Sequence, residues 1–155
     1  MMRTRPNKGM LMIKHKVLFV GSRNGSRSIM AEAFVNHLAS ERFEAQSAGF
    51  DAGVLDALAV AVMREVGIDI SSKQTKTVFS LYQKGHVFQS IVSVCDRENK
   101  ERHPIYPGHR HYIDWNMCDP ESYTDPEDRE TAMRVVRDRI REKVEAFIAE
   151  ERGRE

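Results

Sequence analysis

In the stretch KVLFVGSRNGSRSIMAEAF, residues 16–34, the hydrophobic period switches from strand to helix across eight small or polar residues. KVLFV is a short apolar run bounded by Gly21 and Ser22, the mark of a buried strand. From Ser28 onward, SIMAEAFVNHLASE places Met30, Ala33, Phe34 and Leu38 at helical spacings among good helix formers. A strand feeding a helix through a small-residue loop builds α/β folds, and it restricts what the loop can do. Successive backbone N–H groups can converge there, the helix end carries about half a positive charge, and Arg27 offers a planar two-donor fork. The same residues also admit a plain tight turn in which Ser26 or Ser28 caps the helix. From this stretch alone both readings stand.

The rest of the chain repeats the alternation. FEAQSAGF reads as a second strand ending at Gly49, and VLDALAVAVMREVG as a helix with Leu55, Leu58, Ala59, Val62 and Val66 on one face and Gly67 as its stop. IDISSKQTKTV is polar connection, FSLYQKG a short helix ended by Gly85, and FQSIVSV a strand before Cys95. A Pro- and Gly-containing loop leads to HYIDWNM, a short strand, and then to CDPESYTDPED, where Asp125 is placed to cap a helix starting at Pro126. That last helix carries Met133, Val136, Ile140, Val144, Phe147 and Ile148 on one face and charged residues on the other. Four strands alternating with helices predict an α/β three-layer sandwich: a mainly parallel four-stranded central sheet with helices on both faces. Ligands of such sheets bind beyond the C-terminal strand ends, which gathers the loop 21–28, Cys95 and Asp119.

With 155 residues, 41% of them apolar, the chain is sized for one domain with a real core. We place that domain at 16–150, between a disordered tail over 1–15 and a short tail over 151–155. Lys and Arg total 24 against 23 Asp and Glu, a net charge of +1, which gives nucleic-acid binding no support. Nothing approaches the run of about twenty apolar residues that a membrane span needs, and the basic-then-apolar order of a signal peptide is missing. Two cysteines, Cys95 and Cys118, make no disulfide scaffold, so the expected compartment is the cytoplasm. His103, His109 and His111 sit in HPIYPGHRH without a cysteine or carboxylate at diagnostic spacing, so solvated histidines are expected rather than a metal site, and no cofactor.

Several segments carry a family resemblance in chain order. GSRNGSRSIMAEAF has Asn24, Arg27 and Ser28 where the motif C-x-x-N-S-x-R-S-Q-M-A-E-A has its Asn, Arg and Ser. SAGF, LAVAVMREVGIDISS, IVSVCD, HPIYPG and WNMCDP follow, so the match covers roughly residues 16–150. The sequence resembles the low-molecular-weight protein tyrosine phosphatase superfamily, and more closely its thioredoxin-coupled arsenate reductase branch. The resemblance implies a loop cysteine that attacks phosphorus or arsenic as a thiolate, with the arginine stabilising the equatorial oxygens. Gly21 stands at that position and has no atom to attack with. Ser22 is one residue out of register and lacks a general base.

Other positions follow from the same resemblance. Cys95 falls at the first relay cysteine of the reductases, whereas the second would lie at or near Arg102 and His103, where no cysteine is present. Cys118 is an addition beside the acid loop. Asp119 falls at the general acid of the phosphatases, and Trp115 reads as a loop anchor or cleft wall. The expectation is a pseudoenzyme whose residues Gly21, Ser22, Arg23, Asn24, Gly25, Ser26, Arg27 and Ser28 hold phosphate, sulfate, an arsenate-like anion or a phospho-ligand without turnover. One alternative is an active phosphatase or arsenate reductase using Cys95, Cys118 or an external thiol, with thioredoxin or glutathione as partner only in that case. Another is a protein-interaction module with a vestigial loop.

Overall fold

The computed structural model describes residues 13–98, 101–102, 104–108 and 111–153. The tail expected over 1–15 therefore falls largely outside the described residues, as do His103 and His109. Strand β1 spans His15–Gly21, helix α1 Arg27–Leu38 and strand β2 Phe43–Gly49. Helix α2 spans Ala57–Glu65 and helix α3 Val78–Gln83, followed by β3 at Ser90–Ser93 and β4 at His111–Asp114. A 3₁₀ turn at Pro120–Ser122 precedes helix α4, Pro126–Gly153. The sheet has the order β2-β1-β3-β4 and every pairing is parallel. This is the four-stranded α/β architecture that the alternation of periods predicts.

Period-2 alternation in β1 divides the core between the two sheet faces. Val17 and Phe19 join the larger cluster with residues of α1, α2 and α4, including Phe34, Val62 and Ile140. Leu18 and Val20 point to the smaller one, with Val78 and Leu81 of α3, Phe88, Ile91 and Tyr106. Helices thus cover both faces, unequally. α1 departs from the amphipathic stripe read in the sequence, because every residue from Arg27 to Val35 is buried. A helix packed against both the sheet and α4 has little solvent face to keep polar. Its Glu32 is accommodated by Ser47 of β2, whose hydroxyl donates to it at 2.5 Å, and by Lys73 at 2.7 Å.

The ends of the elements follow local chemistry. α2 begins at Ala57, later than the apolar run suggests, because the Asp56 carboxylate accepts from the Leu58 amide at 2.8 Å. Asp125 does cap α4, accepting from the amides of Glu127 at 2.8 Å and Asp128 at 3.3 Å. β4 stops at Asp114, short of the expected HYIDWNM, and Asn116 turns into the left-handed region at φ 52°. Among the described residues no helix is long and apolar enough to cross a membrane.

Candidate functional site

Beyond the C-terminal ends of the strands, the segment after β1 wraps a small recess that opens on one side to solvent. Its walls are residues 21–28 with Val94 and Glu121. All eight residues expected to cradle an anion are therefore brought together. The loop is pinned from outside by the connection that follows β2. The carbonyls of Gly21, Ser22, Arg23 and Gly25 accept from the amides of Phe50, Asp51, Gly53 and Asp56 at 3.1, 2.9, 2.8 and 2.9 Å. Because a trans peptide sets N–H opposite C=O, the next amide after each of these carbonyls faces away from that connection. Outward carbonyls and opposed amides are what an anion nest requires.

Asn24 sits at the apex with φ 56°, which its short polar side chain tolerates. Its amide nitrogen donates to Ser28 Oγ at 2.8 Å, and its oxygen accepts from the Lys76 amide at 2.9 Å. The simple capping alternative therefore does not describe this loop. Ser26 occupies the N-cap position of α1 without a side-chain cap hydrogen bond, and the Ser28 hydroxyl is engaged by Asn24. At the base of the recess, a Cβ added to Gly21 would lie 3.5 Å from Ser28 Oγ and 3.6 Å from Val94 Cγ2, ordinary van der Waals contact. The backbone at Gly21 thus has room for a side chain.

Arg27 is buried under the loop, as an anion-binding fork should be, but both of its terminal nitrogens are engaged. Nη1 donates to Glu101 Oε1 at 2.8 Å and to the carbonyls of Val94 and Met117 at 3.0 and 3.1 Å. Nη2 donates to Glu101 Oε2 at 2.5 Å. The same carboxylate accepts from Ser22 Oγ at 2.5 Å and from the Asp96 amide at 2.6 Å. Burial pushes the Glu101 carboxyl up, yet the hydrogen bonds and charge of Arg27, with Ser22 and Asp96, outweigh it and hold the group below the usual carboxylate range. Burial likewise opposes the Arg27 charge, and Glu101 overcomes it, so the guanidinium stays charged.

Glu101 was not among the residues the sequence singles out. A glutamate in the polar run DRENKER reads as a solvated charge, and the only hint is its place beside Arg102 and His103, where the resemblance expects a cysteine. It borders a wider outer cleft of about 600 Å³ with Ser22, Phe50 and Asp119, where the Arg102 guanidinium stacks 3.9 Å over the Phe50 ring.

The remaining expected residues divide. Asp119 stands beside the site: its Oδ2 is 3.8 Å from Arg27 Nη2 and 4.0 Å from Arg23 Nη2, while its Oδ1 accepts from the Glu121 amide at 3.0 Å. Arg23 reaches Glu121 at 2.9 Å. Cys95 is fully buried, burial pushes its thiol up to about 11, and its sulfur donates to the Arg102 carbonyl at 3.5 Å. Cys118 is half-buried, its thiol also pushed up by burial and by Asp96, and both cysteines are free. Trp115 packs against Phe19 with ring centroids 5.5 Å apart, which makes it a core anchor rather than a cleft wall. Among the described residues no His, Cys, Asp and Glu group is arranged to hold a metal.

The family model for low molecular weight phosphotyrosine protein phosphatase matches residues 16–154. The chain belongs to this family. Among curated relatives, it is 31% identical over 134 residues to the "Glutaredoxin arsenate reductase" of Synechocystis sp., covering 86% of this chain and 96% of that protein. It is 32% identical over 137 residues to the arsenate reductase of Shouchella clausii, covering 88% and 96%. A solved arsenate reductase in the phosphate binding state superposes with TM-score 0.72 at 29% identity, covering 88% of this chain and 98% of that one. A low molecular weight protein tyrosine phosphatase from T. tengcongensis, with TM-score 0.68 and 23% identity, shares the fold.

Proposed function

We propose that this family member binds a tetrahedral oxyanion or a phospho-ligand in the loop 21–28 without turning it over. The observation that carries the reading is Gly21. The loop keeps the outward carbonyls, the Asn24 apex and the buried Arg27, while the position at its base offers no nucleophilic atom. In an enzyme of this family a thiolate at that base repels a dianion before reacting with it, whereas a glycine adds no charge, so the cradle favours retention over reaction. The relative solved in the phosphate binding state supports an anion of this shape.

Catalysis by Cys95 is disfavoured. With its thiol near 11 and its side chain buried, Cys95 carries almost no thiolate at neutral pH, and only the thiolate attacks. Asp119 in this reading is a charged neighbour of the cradle and protonates no leaving group. Isothermal titration with inorganic phosphate tests the proposal. Saturable one-site binding is expected, weakened at least about tenfold by Arg27→Lys, which keeps the charge and removes the two-donor fork. Phosphate turnover by the unaltered chain, or binding indifferent to Arg27→Lys, would refute it.

A further inference from the structure

We propose that Glu101 is an internal counter-anion of Arg27, which an incoming ligand has to displace, and that this makes the loop selective for doubly charged tetrahedral oxyanions over singly charged ones. The inference rests on the reading that the loop binds an oxyanion, and it names what regulates that binding. The Glu101 carboxylate has the two-oxygen geometry of a phosphate edge. It occupies both arms of the Arg27 fork at 2.8 and 2.5 Å, and it takes the Ser22 hydroxyl and the Asp96 amide as well. Side-chain exposures of 7% for Arg27 and 12% for Glu101 keep water from weakening the pair.

The recess formed by residues 21–28 is nevertheless not filled by Glu101, which lines the outer cleft. Fork and nest are adjacent but differently occupied. The nest opens to solvent, while the fork belongs to the protein's own carboxylate. An anion that enters the nest and claims the fork leaves Glu101 beside like charge, with Asp119 already 3.8 Å from the same guanidinium nitrogen. Only a ligand that brings more charge and more acceptor oxygens than a carboxylate gains enough to make the exchange. Chloride and acetate cannot; phosphate and arsenate dianions can. The apparent affinity is the intrinsic one multiplied by the fraction of molecules in which Glu101 has released Arg27, so removing the charge at 101 should tighten binding.

The experiment is isothermal titration of inorganic phosphate, at a pH where it is dianionic and at fixed salt, into the parent, Glu101→Gln and Arg27→Lys. Glu101→Gln should bind at least tenfold more tightly than the parent, and acetate should compete with phosphate in that variant but not in the parent. Equal affinity for the parent and Glu101→Gln, with weakening in Arg27→Lys, overturns the role of Glu101 and leaves the loop reading standing. No binding by any folded variant overturns both. If Glu101→Gln does not fold, the side-chain carboxyl ¹³C resonance of Glu101 in the parent decides. A saturable shift with phosphate toward an unpaired carboxylate supports displacement, and a resonance unmoved at saturation overturns it.

Discussion

Gly21 and Gly49 are partners in the parallel register of β1 and β2, and each is the last residue of its strand. In the sequence they are the same residue in the same role. In the structure they are opposites. A Cβ at Gly49 would lie 2.6 Å from the Asn24 amide nitrogen and from the Asp51 carbonyl oxygen, and 2.7 Å from the Arg23 carbonyl carbon. All three are backbone atoms that no rotamer change can relieve. A Cβ at Gly21 meets nothing closer than 3.5 Å. Gly49 is therefore a glycine that the loop's shape demands, because the peptide joining Arg23 to Asn24 lies directly on it. Gly21 is a glycine that the backbone does not need, so its explanation has to be sought in what the site does.

The widest separation between the two should appear in stability. Gly49→Ala forces the backbone of the loop and of the 50–56 connection apart, and by analogy with overpacked cores it should cost about 3 kcal/mol. Gly21→Ala should be neutral or stabilising by up to about 1 kcal/mol, since it removes unfolded-state freedom without a clash. Urea titrations of the two variants measure the difference through their midpoints at unchanged slope. Equal losses would mean that Gly21 is as structural as Gly49 and would remove the functional argument for it.

A second separation is chemical. Under the reading of the loop as a cradle emptied of its nucleophile, Gly21→Cys places a thiol at the base of the nest, near the N-terminus of α1 and Arg27, surroundings that favour the thiolate. At pH 7 the introduced thiol should react with iodoacetamide at least about tenfold faster than Cys95, whose thiol burial raises to about 11. Hydrolysis of p-nitrophenyl phosphate should appear with it, more strongly when combined with Glu101→Gln. An introduced thiol as inert as Cys95, in a folded variant, would show that the loop no longer stabilises negative charge at its base.

How much of this was legible in the sequence depends on whether the physics is local. The β1–loop–α1 unit announces itself because the hydrophobic period changes within a few residues, and the Asp125 cap of α4 because its partners are two and three residues away. The expected site residues 21–28 converge for the same reason. The difference between Gly21 and Gly49 is invisible along the chain, since it depends on which peptide another segment lays across each of them. Glu101 is hidden for a related reason: it meets Arg27 across 74 residues with no period connecting them. The buried state of all of α1 through Val35 depends on α4 closing over it, which an amphipathic pattern read locally understates.

The smallest expected effect is a pH dependence that reads the same two glycines through Glu101. Its carboxyl is held below the ordinary glutamate range in the folded protein by Arg27, Ser22 and the Asp96 amide, so its pairing contributes stability that is fully present above that range and is lost as pH falls through the folded-state pKa. Glu65, lowered to about 2 by its hydrogen bonds to Arg134 and Arg137, and Asp69, lowered by Ser71, add slope of the same sign, but they lie away from the loop and should do so equally in every variant. Differences between variants below about pH 4.5 thus isolate the Glu101 contribution. Gly21→Ala leaves Ser22 and Arg27 in place and should retain the parent's acid limb. Gly49→Ala displaces the backbone at Arg23 and Asn24, loosens the hold of Ser22 and Arg27 on the carboxylate, and should flatten that limb toward the profile of Glu101→Gln. Stability measured by denaturant titration at half-unit steps from pH 6 to 3 distinguishes these curves. Parallel limbs for the two glycine variants would mean that the shape Gly49 imposes on the loop is not what holds Glu101 on Arg27.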